Sequence, residues 1–229
     1  MLSRFLRSVG MTALIATSSA CIVPNAHAQA DPIAHIAASQ ITLSNFLRDP
    51  DMDWLQRNFY RAKAVMITPE VVKAGFIFGG SGGRALVVAR DPTTGGWVGP
   101  AFYAMATASV GFQAGISVSE AVTLVMTDKG FNSLLATSVK LGGDASVAAG
   151  PVGAGAKSDV VADFITFSRA KGIYGGLNLD GTVITSSNDW DELYYQKKPL
   201  LAPDILVRMS VRSKGADKLI GDLARATKK

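Results

Sequence analysis

The sequence holds one cysteine and two histidines, Cys21, His27 and His35, all near its beginning. A lone cysteine makes no internal disulfide, so the fold must rest on a hydrophobic core. Few soft ligands leave carboxylates as the only metal donors. Asp189, Asp191 and Glu192 in "NDWDE" lack the glycine and the spacing of a calcium loop, and they read as a charge bias at a helix start. No metal and no cofactor is expected. Gly79-Gly80-Ser81-Gly82-Gly83 fits the G-x-S-x-G pattern of a nucleophile elbow, but no histidine follows Ser81 to serve as its base. A hydrolase using Ser81 is therefore disfavoured, and nothing in the pattern singles out Lys73 or Lys157 as a lysine base. Gly80 to Ala85 fits a dinucleotide fingerprint, but no acid stands about twenty positions on and no strand–helix alternation follows. Charge is also scarce: 18% of residues are charged and the net charge is +5. That falls short of the dense basic clusters of a nucleic-acid binder.

The N-terminus carries Arg4 and Arg7, a serine-containing apolar run too short for a comfortable membrane span, and Ala26 and Ala28 at signal-peptidase positions. Residues 1–28 read as a secretory signal. In a second reading, residues 1–20 are the signal and Cys21, preceded by "TSSA", is lipid-modified. Either way the protein is expected to be exported to the periplasm or outer membrane, lipid-anchored or surface-exposed. Residues 31–229 are long enough for one domain with a sizeable core.

Helical patterning runs from Asp31 to Ala64, with Asp31 as N-cap, Pro32 at the first helical position and a break at Asp49-Pro50. Beyond Lys63, short apolar or alternating runs are separated by glycines and polar pairs. This predicts an α+β fold: a curved antiparallel β-sheet, sandwich or barrel-like, packed by N-terminal helices and a few short helices. Short helices are expected at "TDKGFNSLL", at "SSNDWDELYY" and in the tail around Leu219, Ile220 and Leu223. Asp180-Gly181 predicts a hairpin. The "GGSGG" stretch between "GFIF" and "RALVVAR" predicts a glycine turn joining two strands.

Four stretches then carry a resemblance: "AVMITPEVVKAGFIFGGSGGRALVV", "WVGPAFYAMATASVGFQAGISVSEAVTLVMTDKGF", "GGDASVAAGPVGAGA" and "FSRAKGIYGGLNLDGTVI". Their content and order, over about residues 64–184, resemble the SYLF domain family. That family comprises lipid- and actin-binding domains of fungal endocytic proteins and animal SH3-containing relatives, with a bacterial secreted branch. The resemblance implies a non-enzymatic module that binds phosphoinositides or other anionic lipids through a basic, amphipathic N-terminal segment. Here that segment has Arg48, Arg57, Arg61 and Lys63 interleaved with Asp49, Asp51 and Asp53, a departure that favours lipid over actin.

A lipid surface calls for cations beside exposed apolar groups. Arg57, Arg61, Lys63, Lys73 and Arg84, near the helix-to-sheet junction, are the first candidates. The basic tail (Arg208, Arg212, Lys214, Lys218, Arg225, Lys228, Lys229) is the second. Trp54, Trp97 and Trp190 are read as core residues before interface anchors. The expected partner is a phospholipid or other anionic membrane surface. The alternative is a protein-interaction module, including contact with host components such as actin.

Overall fold

The computed structural model describes residues 31–228 apart from 76–77, 111–114, 154, 156–159, 171–172 and 175–178. The two signal readings, Cys21, His27, Lys157 and Lys229 lie outside the described residues. Asp31–Lys229 forms one compact unit.

Helix α1 spans Pro32–Arg48, where the Asp31 carboxylate accepts a hydrogen bond from the Ile33 backbone N–H at 2.9 Å. Ile36, Leu43 and Phe46 recur at helical spacing and are buried, each burial contributing about 2 kcal/mol. The chain turns at Asp49-Pro50 into α2 (Asp53–Asn58) and then enters the sheet. Among the described residues nine strands follow: β1 (Ala64–Gly75), β2 (Phe78–Arg90), β3 (Trp97–Val110), β4 (Gly115–Val125), β5 (Ser138–Lys140), β6 (Val147–Ala149), β7 (Phe164–Ala170), β8 (Ile173–Tyr174) and β9 (Val183–Ser186). They are interspersed with α3 (Asp128–Leu134) and followed by α4 (Asn188–Tyr195), α5 (Ala202–Leu206) and α6 (Asp217–Thr227). The strand order is β5-β9-β3-β2-β1-β4-β7-β6, with β8 paired to β7, in a sheet curled like a half-barrel. The expected α+β class with a curved sheet is what the structure shows.

Strict alternation splits the core in two. Val65, Ile67, Leu86, Val88, Phe102, Val122 and Leu124 face α1, α2 and α6, whereas Ala64, Met66, Ala85, Val87, Tyr103 and Val125 face α3, α5 and the curled β5–β9 end. Both faces are apolar, so these central strands read as continuous apolar runs.

Three local expectations need correction. The "GGSGG" stretch is not a turn: Gly79 to Gly83 lie inside β2, paired to β1 on one side and β3 on the other. The glycines serve close backbone approach instead. Pro69, which has no N–H to donate, sits in β1 at a bulge between Ile67 and Glu70, and a Cβ on Gly83 would stand 2.4 Å from the Glu70 carbonyl oxygen. Gly181 does turn the chain, at φ +78°, but β9 then pairs with β3 and β5 and not with β8. A local hairpin signal carries no information about a distant partner. Finally, β6 runs parallel to β7, an exception to the antiparallel expectation.

Candidate functional site

Beyond the bulge, four strand ends form a sheet tip: Val71–Gly75, Phe78–Arg84, Ala104–Val110 and Gly115–Glu120. Directly paired residues of antiparallel strands share a face. Val72 pairs with Gly82 and Val118, Ala74 with Gly80 and Ile116, and the two glycines with Ala106 and Ala108. One face of the tip is therefore apolar and, across β2 and β3, nearly flat. It is also exposed: Ile116 is 76%, Val118 41% and Val72 40% accessible. Past the buried Val71 and Met105, the opposite face is polar, with Lys73 directly between Ser81 and Ser117, and Thr107 beside Ser81.

Helix α1 marks the inner border of the apolar face. The Thr42 hydroxyl donates to Glu120 Oε2 at 2.9 Å, and Arg169 Nε donates to Glu120 Oε1 at 2.8 Å. Arg169 also reaches Asp49 at 3.7 Å and lies over the Phe46 ring, so α1 is clamped to β4 and β7 along its second half. At the other end, His35 packs against Trp190 and Phe102, with ring centroids 5.6 and 6.2 Å away. The Arg84 guanidinium covers Trp190 at 4.0 Å. Burial, with a smaller contribution from Arg84, lowers the His35 pKa to about 4, so its imidazole is neutral at pH 7. No Asp, Glu, Lys or Arg occurs in α1 before Arg48, and Ile33 and Ile41 on this helix are exposed.

Behind α4, the Asp191 carboxylate accepts the Phe102 backbone N–H at 2.9 Å, satisfying a strand edge next to the end of β9. Asp191 is fully buried, and burial pushes its pKa up to about 8, opposed by that hydrogen bond and aided by Asp189 and Glu192.

The five cations do not form one cluster at the helix-to-sheet junction. Arg57 pairs with Asp53, Arg61 donates to Asn58 at 3.0 Å and Lys63 pairs with Asp128 at 3.0 Å, all near the start of β1. Lys73 stands ten positions along β1 from Lys63, about 30 Å away at strand rise. Arg84 occupies the apolar face and Lys73 the polar one, because two paired strands alternate independently of where cations fall in the sequence. In the tail, Arg208 pairs with Asp204 at 2.5 Å and Arg225 with Asp222, while Arg212, Lys214, Lys218 and Lys228 are exposed. Trp54, Trp97 and Trp190 are buried in the helix-side core. Around Ser81, β2 runs straight through as a strand, so the strand–turn–helix geometry of an elbow does not occur. Among the described residues no group of three or more His, Cys, Asp or Glu is placed to hold a metal.

Val72, Ile116 and Val118 were not singled out by sequence reasoning. For Ile116 and Val118 the signal was the alternation in "GISVSEAV", which sets Ile and Val on one face and Ser on the other.

A family model described as Ysc84, Las17-binding protein actin regulator, matches residues 106–226, more than half of the chain. The chain belongs to the Ysc84 family. The SYLF resemblance is thereby borne out. The Ysc84-matched region starts in β3, takes in β4 with Ile116 and Val118, and ends in α6. The chain is 33% identical over 142 residues to LAS seventeen-binding protein 3 of Saccharomyces cerevisiae, covering 59% of this chain and 30% of that one. It is 30% identical over 174 residues to human SH3 domain-containing YSC84-like protein 1, covering 74% of this chain and 50% of that one. The chain thus spans 30% to 50% of the length of these Ysc84 relatives.

Proposed function

We propose that this protein is a non-catalytic membrane-surface module that seats the apolar face of its sheet tip on an anionic bilayer. The observation that carries this reading is the continuous exposed face of Val72, Ile116, Val118 and their glycine and alanine neighbours, beside an α1 without formal charge before Arg48. Three aliphatic side chains entering lipid supply about 1.5 kcal/mol each, enough for weak and reversible attachment. Cations near the surface add about 1 kcal/mol each. Lys73, on the tip, is the candidate cation that supplies this attraction, whereas Arg57, Arg61 and Lys63 stand about 30 Å along the sheet, beyond the reach of a screened surface potential, and Arg84 stiffens the border against Trp190. Contact is interfacial, because a sheet end with open edges cannot leave its backbone groups in hydrocarbon. Among the described residues, no helix is long and apolar enough to cross a membrane.

Export to the periplasm or outer membrane belongs to the same proposal, supported by the basic, apolar and Ala-x-Ala pattern of residues 1–28. Intact mass of the native protein tests it: a chain beginning at Gln29 indicates removal of the signal, and a diacylglyceryl mass on a chain beginning at Cys21 indicates anchoring. An unprocessed chain overturns export by this signal.

A second reading, a protein partner on the same face, is favoured by the yeast relative named as a LAS seventeen-binding protein. A pull-down from envelope extract, set against lipid overlay with the same protein, separates the two.

The experiment for the lipid reading is co-sedimentation with phosphatidylcholine vesicles with and without phosphatidylglycerol, at low and high salt. Stronger pelleting with the anionic lipid at low salt is expected; equal pelleting in all four conditions contradicts it.

A further inference from the structure

A cleft of about 260 Å³ opens in the helical layer, lined on α1 by Ser44, Leu47 and Arg48, on α6 by Asp222, Arg225 and Ala226, and on α2 by Gln56. Each long helix contributes positions i, i+3 and i+4, which share one helical face. At the head of the cleft Gln40, one turn before Ser44, donates to Asp222 Oδ2 at 2.9 Å and ties α1 to α6. Leu43, Phe46, Leu219 and Leu223 bury both helices in one core, so the cleft is preformed. Gln56 Nε2 donates to the carbonyl oxygens of Asp49 at 2.7 Å and Phe46 at 3.4 Å. Those bonds occupy carbonyls that would otherwise turn the negative end of α1 towards the cleft.

The charges of the lining do not cancel. Asp222 is the one carboxylate among the lining residues, and both its oxygens are taken, Oδ2 by Gln40 and Oδ1 by Arg225. Arg225 keeps further N–H donors, and its side chain is 73% exposed. Arg48 is exposed and Ser44 half-buried, and among the described residues neither side chain makes a hydrogen bond or ion pair. The cleft thus carries one uncompensated positive charge, a free hydroxyl one turn away on the same helix, and an apolar wall of Leu47 and Ala226. We infer that it binds a small carboxylate with a short apolar body. Arg48 and Arg225 donate to the carboxylate, whose planar shape the guanidinium fork matches, and the Ser44 hydroxyl donates from the α1 wall. A single net positive charge suits a monoanion. The volume lies below the roughly 300–1,000 Å³ of clefts for drug-sized ligands, so one short chain fits and the acyl chains of a phospholipid do not. None of the lining residues belongs to the sheet tip, so the inference stands apart from the membrane reading.

Both guanidinium groups face water, so binding is weak and is read by nuclear magnetic resonance. The isotope-labelled full chain is titrated with hexanoate while its backbone amide shifts are followed. Saturable shifts are expected in Ser44–Arg48 and Asp222–Ala226, whereas hexanol and hexylammonium, which share the body but not the charge, give none there. Arg48→Gln is expected to weaken hexanoate binding about tenfold with an unfolding midpoint near the parent's, since the side chain is exposed. Arg212→Gln, exposed and outside the cleft, is expected to leave binding unchanged. Absence of saturable shifts at these residues, equal binding of hexanol, or unchanged affinity in Arg48→Gln overturns the inference. Dihexanoylphosphatidylglycerol below its micelle concentration supplies a phosphodiester of the same charge. Shifts with that lipid and none with hexanoate would assign the cleft to a lipid headgroup and contradict the carboxylate.

Discussion

Val72 on β1 and Val118 on β4 stand directly opposite one another, on a sheet face where neither is covered. In water such a pair is held by its neighbours and gains nothing from its own exposure. The arrangement persists because the strands below the bulge are buried on both faces and fix the register for the tip.

Gly83 is the position where the bulge leaves least room. Gly83→Ala places a methyl group 2.4 Å from the Glu70 carbonyl oxygen, which is backbone and cannot swing away. A loss of about 2 kcal/mol is expected in urea unfolding. Gly82→Ala, where the closest atom is 3.4 Å away, is expected to stay within about 1 kcal/mol of the parent.

Arg169→Met removes both the partner of Glu120 and the link to Asp49, leaving a mostly buried carboxylate with Thr42 alone. Destabilisation of about 2–3 kcal/mol is expected, since the remaining charge is unpaired. Pairing it with Glu120→Gln is expected to recover part of that loss. A double-mutant cycle showing simple additivity contradicts the clamp.

His35 ties stability to acid. Its folded pKa, about 4, lies below the ordinary 6.5, so the stabilisation is complete above pH 6.5 and is lost as pH falls towards 4. The full loss is roughly 3 kcal/mol. His35→Phe is expected to keep the aromatic packing and to lack this decline when unfolding is compared at pH 7 and pH 4.5.

Asp191 acts in the opposite sense. A carboxyl raised from 3.8 to about 8 contributes stability that is complete below pH 3.8 and is lost as pH rises towards 8. Asp191→Asn retains an acceptor for the Phe102 N–H and removes the proton linkage. Its stability, measured by denaturant unfolding, is expected to exceed the parent's at pH 8 and to approach it at pH 4.

The helices and most strands were legible because their signals are local. Asp31-Pro32 starts α1, Asp49-Pro50 stops it, and Phe131 and Leu134 mark α3. What escaped was decided by pairing. "GGSGG" has turn composition, yet β1 and β3 on either side hold it extended. Asp180-Gly181 has hairpin composition, yet β9 finds β3. The cations Lys63, Lys73 and Arg84 are near one another in sequence, and the sheet sends them to different ends and faces. The apolar face was written in the alternation of "GISVSEAV", but how far along that face α1 reaches is set by contacts such as Thr42–Glu120, which the sequence does not display.

The most direct measurement compares the wild-type chain with Ile116→Asp/Val118→Asp in co-sedimentation with phosphatidylcholine–phosphatidylglycerol vesicles. Both sites are solvent-exposed, so circular dichroism and the unfolding midpoint should stay near wild type. At least a tenfold loss of vesicle affinity is expected for the double variant, at low and high salt alike. Unchanged affinity in a folded double variant would show that the sheet tip is not the membrane-binding surface.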